Sequence, residues 1–398
     1  MDAIVEKRLE KEKLWTKDFI ILSLSNLFLF FGFQMLLPTL PIYVKELGGR
    51  DTTVGLVIGI FTISALLIRP FSGAFLDTFG RKLFLLIGLL ICLIAIGTYV
   101  LATTVFLLLL IRIIHGFGWG VSTTTFGTVA SDIIPASRRG EGMGYYGMST
   151  TFAMAVAPVT GIWIINHSGF SLLFLLAFIS TVISLILSQV LKIKTQRIDT
   201  TTSNNTNFAS RLFEKTALFP SLLGALMTFT YGGIVGFITL FGSEVGIENV
   251  GWFFSINALF VLLVRPISGK LFDKNGHQWV LIPSAFFGII SLLILSYSTT
   301  LLGLIISATF FGITFGSIQP ALQAWLIHRA APNRRGAANA TFFSAFDLGI
   351  GGGSIILGAI AAVSSYAMMY RLSSILFVIF FIIYVTYLLK TRTQKFYQ

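Results

Sequence analysis

Apolar residues run along this chain in long uninterrupted blocks, separated by short polar punctuation. Windows of about 20 mostly apolar residues are long enough to cross a bilayer as helices. Twelve can be marked: 19–41, 52–72, 83–101, 105–131, 142–164, 170–191, 217–240, 250–268, 279–297, 300–327, 338–361 and 367–389. Several exceed one crossing, which predicts tilted helices. The short alternating segments of a transmembrane β-barrel do not occur. The pattern predicts an all-α integral membrane protein of twelve transmembrane helices in two six-helix bundles.

A twelve-residue frame occurs twice. Arg69-Pro70-x-Ser72-Gly73-x-x-x-Asp77-x-x-Gly80 returns as Arg265-Pro266-x-Ser268-Gly269-x-x-x-Asp273-x-x-Gly276, 196 positions later. Gly116-x-x-x-Gly120 and Gly312-x-x-x-Gly316 keep the same offset. Pro135-Ala-Ser-Arg138-Arg139-Gly140 matches Pro332-Asn333-Arg334-Arg335-Gly336 with a one-residue slip. Ordered repeats in an apolar chain predict duplicated halves that run parallel, with a short polar loop at the same place in each. The expected layout is an N-terminal tail 1–18, a first bundle 19–191, a linker 192–216, a second bundle 217–389 and a tail 390–398. The linker reading rests on the polar run Thr200-Thr201-Thr202-Ser203-Asn204-Asn205-Thr206-Asn207.

Charged residues make up only 11% of the chain, too few to coat a soluble protein of 398 residues. The net charge of +12 would suggest nucleic acid in a soluble protein, but its distribution points elsewhere. With the N-terminus inside, about 24 of the 28 Lys and Arg fall on the cytoplasmic side, including Lys7, Arg8, Lys11, Lys13, Lys192, Lys194, Lys390 and Arg392. The outer side keeps Lys45, Arg50 and Arg371. This predicts a cell-membrane protein with both termini cytoplasmic. Its expected partners are lipid, protons and a small molecule, not nucleic acid, and it is expected to be a monomer. The single Cys92 excludes an internal disulfide and a cysteine-rich metal site, and no cofactor or metal is expected. A cleavable signal peptide is not expected either, because no small-x-small cleavage site follows the first apolar span.

The loop Gly73-Ala-Phe-Leu-Asp77-Thr-Phe-Gly80-Arg81-Lys82 resembles the most diagnostic motif of the major facilitator superfamily of transporters, with Thr78 where that pattern has Arg. The resemblance extends over the whole chain through length, helix count, linker and repeat. It implies a conformational latch at Gly73, Asp77, Gly80, Arg81 and Lys82, echoed by Asp273 in the second copy. A carboxylate there can sit on the positive N-terminus of a neighbouring helix. The resemblance names helix 11 as that neighbour and implies that the contact favours the outward-facing state. The alternative reading is a solvated tight turn.

Arg112-Ile-Ile-His115-Gly116-Phe-Gly118 resembles a family motif linked to proton transfer, with His for Gln. Arg112 and His115 share a helix face. Charge within a membrane is costly enough to need a function. Asp347, the one carboxylate well within a predicted span, is the first candidate proton carrier, with Arg112 tuning its field and His115 next in line. A structural hydrogen bond is the alternative for each. In helix 5, Gly144, Ala153, Ala157, Pro158 and Gly161 keep the spacing of the family's antiporter motif, with Gly144, Pro158 and Gly161 matching it. Leu36-Leu37-Pro38-Thr39-Leu40-Pro41 resembles the helix-1 ending of twelve-helix drug/proton antiporters. Candidate pocket residues are Asn26, Gln34, Trp119, Tyr146, Tyr231, Asn257, Gln319, Gln323 and Trp325.

These features imply a secondary active transporter that exports a small molecule against proton entry by alternating access. Uptake by symport or uniport is the rival reading, kept open by the two Gly-to-Ala replacements in helix 5. A non-transporting membrane sensor is the remote one. There is no Walker-type phosphate loop, no His-Glu-x-x-His and no Gly-x-Ser-x-Gly, so an enzyme is not expected. The topology has a direct check. Cysteines placed at Ser203 and Gln398, with Cys92 replaced, are expected to react with an impermeant maleimide only after the inner membrane face is opened. Labelling on intact cells would invert the orientation.

Overall fold

The computed structural model describes residues 13–49, 51–193, 212–247 and 250–396. Most of the expected linker, including Ser203, lies outside the described residues, as do Lys7, Arg8, Lys11, Arg50, Lys194 and Gln398. The described chain is helical throughout. In order, α1 is Lys17–Glu46, α2 Asp51–Phe79, α3 Arg81–Thr98 and α4 Val105–Ile133. A continuous helical segment, Arg139–Val190, is broken at Gly169 (φ 77°) into α5 (139–168) and α6 (170–190). Then come α7 Leu218–Val245, α8 Trp252–Asn275, α9 Gln278–Tyr297, α10 Leu301–Arg329, α11 Arg335–Val363 and α12 Tyr366–Phe396.

Among the described residues, eleven apolar stretches are long enough to cross a membrane. One of them, Ala136–Val190, is 55 residues and far exceeds one crossing. The Gly169 break makes it two. The left-handed conformation there is open to glycine at no steric cost, which is why a helix can reverse on a single residue.

The outside of the bundle is apolar and the inside is rich in hydroxyls. Leu67, Val159, Ile267 and Ile355 are exposed, whereas Ser25, Thr124, Ser184, Ser291 and Ser307 are fully buried. Lipid, not water, is the solvent for such a surface. The buried hydroxyls bond helix to helix. Ser25 and Ser184 exchange bonds to each other's carbonyls across α1 and α6 (2.7 Å each), and Ser291 and Ser307 do the same across α9 and α10 (2.8 and 2.9 Å).

The repeat is visible in the caps as well. Thr104 accepts the Leu107 amide at the start of α4, and Thr300, 196 positions on, accepts the Gly303 amide at the start of α10. The turns Ala136–Arg138 and Pro332–Arg334 superpose at the same offset. Arg138-Arg139-Gly140 and Arg334-Arg335-Gly336 are therefore in register, and only the proline slips.

One expectation needs correction. The Arg-Pro-x-Ser-Gly frames are not loops. Pro70 and Pro266 lie inside α2 and α8, and helix continues to Phe79 and Asn275. Only Gly80 (φ 101°) and Gly276 (φ 86°) make the turns. Arg69 and Arg265 thus sit 11 residues from those turns, about 16 Å deep at the helical rise. They do not belong with the charges at the helix ends.

The α8–α9 turn carries a titratable group outside the membrane-spanning segments. His277 stacks on Trp325 at 4.2 Å and bonds the Tyr384 hydroxyl. Burial, and then the Arg329 charge, push its pKa down from 6.5 to about 4. The fold holds it neutral while the unfolded chain protonates from about pH 6.5 downward, so stability should be constant above pH 6.5 and fall as pH drops toward 4. Thermal unfolding of the purified protein across this window should show that slope. His277→Gln should flatten it, and an unchanged slope would clear His277 of the effect.

Candidate functional site

Two levels of contact join the first six helices to the last six. The first lies at the end where α2 and α8 finish and α5 and α11 begin. Asp77 accepts the Gly336 and Ala337 amides at the start of α11, at 3.0 and 2.9 Å. Its repeat partner Asp273 accepts the Gly140 and Glu141 amides at the start of α5, at 2.7 and 2.9 Å. Each carboxylate fills the unsatisfied first turn of a helix in the other half, where the helix dipole favours negative charge.

Glycines make these approaches possible. A Cβ on Gly73 would fall 2.5 Å from the Cβ of Ala340 and 2.7 Å from the Gly336 carbonyl. One on Gly269 would fall 2.5 Å from the Gly140 carbonyl. Around them Asp132 of α4 binds both Arg81 (3.1 Å) and Arg335 (2.8 Å), and Arg81 also reaches the Pro332 carbonyl. Lys82 is exposed and Thr78 bonds back to its own helix at Ala74. Asn339 bonds Ser131 of α4 at 3.2 Å and accepts from Gln323 at 3.0 Å.

The second level is a cavity of about 190 Å³ between the halves. It is small beside drug-sized pockets of about 300–1,000 Å³. Phe30, Trp119, Tyr231, Phe315, Phe343 and Phe346 supply aromatic walls, and Arg69, Arg265 and Asp347 the charges. Arg69 reaches across to α11: its Nε donates to Asp347 Oδ2 at 2.8 Å, while Nη1 donates to Thr123 at 2.9 Å. Its guanidinium lies 5.2 Å from the Phe343 ring centre. Arg265 donates from Nη2 to Gln319 at 2.7 Å.

Of the residues expected at a pocket, Trp119, Tyr146, Tyr231, Gln319 and Gln323 line this cavity, and so does the proton-carrier candidate Asp347. Asn26 stands one layer back, accepting from the Tyr146 hydroxyl at 3.1 Å and donating to Ser149 at 2.9 Å. Gln34 and Asn257 are elsewhere, and Trp325 packs on His277 at the closed end. In α5, Gly144 packs on the Arg265 carbonyl in the other half, whereas Gly161 packs on Met35 within its own; Pro158 is internal to the helix.

Arg112 does not neighbour Asp347. It is buried inside the first half, with Nε on the Val57 carbonyl at 2.9 Å and its guanidinium 4.1 Å from the Phe61 ring centre. His115 bonds the Tyr99 hydroxyl at 2.9 Å. The stacked rings of Phe33 and Trp119 separate this pair from the cavity. The cation at Asp347 is Arg69, not Arg112, and the expectation that Arg112 tunes the Asp347 field leaves out both arginines of the repeat. They could have been found: both fall inside the marked windows 52–72 and 250–268.

With the geometry in hand, comparison places the chain. The Major Facilitator Superfamily profile matches residues 22–274 and 220–396, and the chain belongs to that family. It is 23% identical to the staphylopine export protein of Staphylococcus aureus over 92% of this chain and 94% of that one. It is 26% identical to multidrug resistance protein 2 of Bacillus subtilis over 82% and 86%. Among solved structures it resembles FucP, the E. coli fucose:proton symporter, in its outward conformation. The TM-score is 0.74 and the identity 14%, over 93% of this chain and 98% of that one. The protein is therefore a multi-span membrane transporter of the major facilitator fold.

The paired carboxylate contacts give a prediction. In a Cys92→Ser background, the buried Ser131 is replaced by Cys. Asp77→Asn with Asp273→Asn should expose it, because each substitution removes a charge from a helix N-terminus, worth about 1 kcal/mol. Maleimide labelling of Cys at this position should rise about thirtyfold in the double variant, where the two losses add to about 2 kcal/mol. An unchanged rate would mean the carboxylates do not hold this end shut.

Proposed function

We propose that the protein is a proton-coupled exporter of a small molecule, with no covalent chemistry on its substrate. It works as a monomer in the cell membrane with both termini in the cytoplasm. The observation that carries this reading is the Arg69–Asp347 pair, an ion pair between the two halves in the wall of the cavity. A carboxylate held by a guanidinium across a moving interface couples protonation to movement. Ionised, Asp347 holds α11 to α2. Protonated, it loses most of its attraction for Arg69, and the halves lose one tie between them. Separating a buried pair without neutralising it costs about 3–5 kcal/mol, so a proton is an effective trigger.

The Asp77 and Asp273 contacts are the latch that closes the cytoplasmic end. With that end tied, the cycle rests in a state that faces outward, where Asp347 can take up a proton. Relatives named as exporters and the antiporter-like spacing of α5 support export.

Proteoliposomes with the pH dye pyranine inside test direction and coupling together. A panel of small molecules is added outside at equal pH. If a transported compound enters by antiport, protons leave and the lumen becomes alkaline. Acidification would establish symport, and compound entry without a pH change would establish uniport. Asp347→Asn is expected to abolish the pH change yet leave equal-pH exchange of that compound within about threefold. Retention of the pH change would place the proton site elsewhere, with His115 next.

A further inference from the structure

The 196-residue repeat pairs the residues around the two arginines position by position. Arg69 matches Arg265, Thr123 matches Gln319, Trp119 matches Phe315, Gly147 matches Phe343, and Thr151 matches Asp347. The first arginine is fully provided for: a carboxylate, two threonine hydroxyls and an aromatic face. The second keeps a partner at the Thr123 position, the amide oxygen of Gln319, but the equivalents of the aromatic cover and the counter-ion are Gly147 and Thr151. Gly147 brings the α5 backbone up to the Arg265 guanidinium, leaving no room there for a side chain. Thr151, one turn further along α5, bonds back to the Gly147 carbonyl at 3.2 Å.

Arg265 is 2% exposed, yet its Nε has no hydrogen-bond partner, and among the described residues no carboxylate lies within ion-pair distance of it. The cavity therefore carries two guanidiniums and one carboxylate, and the carboxylate is engaged by the other arginine. An uncompensated cation in an apolar wall is costly and is normally paired.

We propose that Arg265 is the binding group for an anionic head on the transported molecule, a carboxylate or phosphonate-type monoanion carried on an apolar body. This deepens the transport reading above and rests on it for the word transported; binding itself does not depend on direction or coupling. The guanidinium offers a fork of donors that matches such a head bidentately, and the surrounding rings of Trp119, Tyr231 and Phe315 take the apolar body. A cationic compound would meet two positive charges and find the one acid already bonded. The asymmetry between the halves thus assigns their labour: the Arg69 side keeps its own internal acid, and the Arg265 side takes its acid from the ligand.

The test uses the purified full-length chain, thermal unfolding and four probes of similar body: 4-phenylbutyrate, 3-phenylpropylphosphonate, 4-phenylbutyramide and 4-phenylbutylamine. At least one of the two anions should raise the melting temperature, with the carboxylate and phosphonate arms showing which head fits better. The amide and amine should not. Thr151→Asp places a carboxylate where the repeat puts Asp347 against Arg69. It should raise the melting temperature of the unliganded protein and weaken anion binding at least tenfold, whereas Thr151→Asn does neither. Arg265→Gln, monodisperse on gel filtration, should also lose the anion response.

The proposal is overturned if neither anion shifts the transition, or if the amine or amide shifts it as much. It also fails if Thr151→Asp binds the anion as well as wild type. Compound entry without a pH change in the pyranine assay, with anion binding intact, would sink the proton-coupled reading alone.

Discussion

Burying charge in a bilayer-spanning protein is the constraint on which the rest of this structure depends. Lipid cannot solvate a guanidinium, so a cation buried among the helices is met by a carboxylate, a carbonyl, a hydroxyl, an amide or a ring. Arg112 receives a carbonyl and the Phe61 face. Arg69 receives Asp347, but from the opposite half. That one choice turns a solvation requirement into a mechanical link. The cavity, the interface and the ionisable group then coincide, which is the ground for the proposed coupling of ligand and proton there.

The same logic operates at the closed end with backbone groups. The first turns of α5 and α11 have amides with no helical partner, and they begin at the interface. Asp77 and Asp273 complete them from the other half, and Gly73 and Gly269 let the backbones close to the distance this needs. Four of the cross-half hydrogen bonds are thereby equivalent in pairs. A transition that opens this end must leave eight atoms, four amides and four carboxylate oxygens, to water, and water satisfies both partners. Such contacts are strong enough to define a state and weak enough to be exchanged.

Duplication explains the symmetric parts, and divergence explains the chemistry. Caps at Thr104 and Thr300, turns before α5 and α11, and latches at Asp77 and Asp273 have been kept in both halves. The cavity wall has not. Asp347 pairs with Arg69, whereas the equivalent position, Thr151, bonds back to its own helix, and Phe343 stands where the first half has Gly147. The groups on which the proposed function rests are at positions where the two copies differ.

The sequence alone determined the class of architecture. Long apolar blocks, sparse charge and a 196-residue repeat leave few folds open, because backbone groups in lipid must be satisfied within helices. The helical windows were legible for the same reason, and so was the turn at Gly80 that ends α2. Tertiary structure decided which charge meets which. Asp347 and Arg69 are 278 positions apart, and helical spacing cannot relate residues on different helices. The arginine of each repeat was read as part of a loop because the polar residues after it suggest one. The helix continues through Pro70 and Pro266 and carries both arginines to cavity depth. Arg112 and His115 share a helix face, as their spacing required, yet Phe33 and Trp119 wall them off from the cavity. Spacing fixes which residues share a face, but only packing fixes what that face is turned toward.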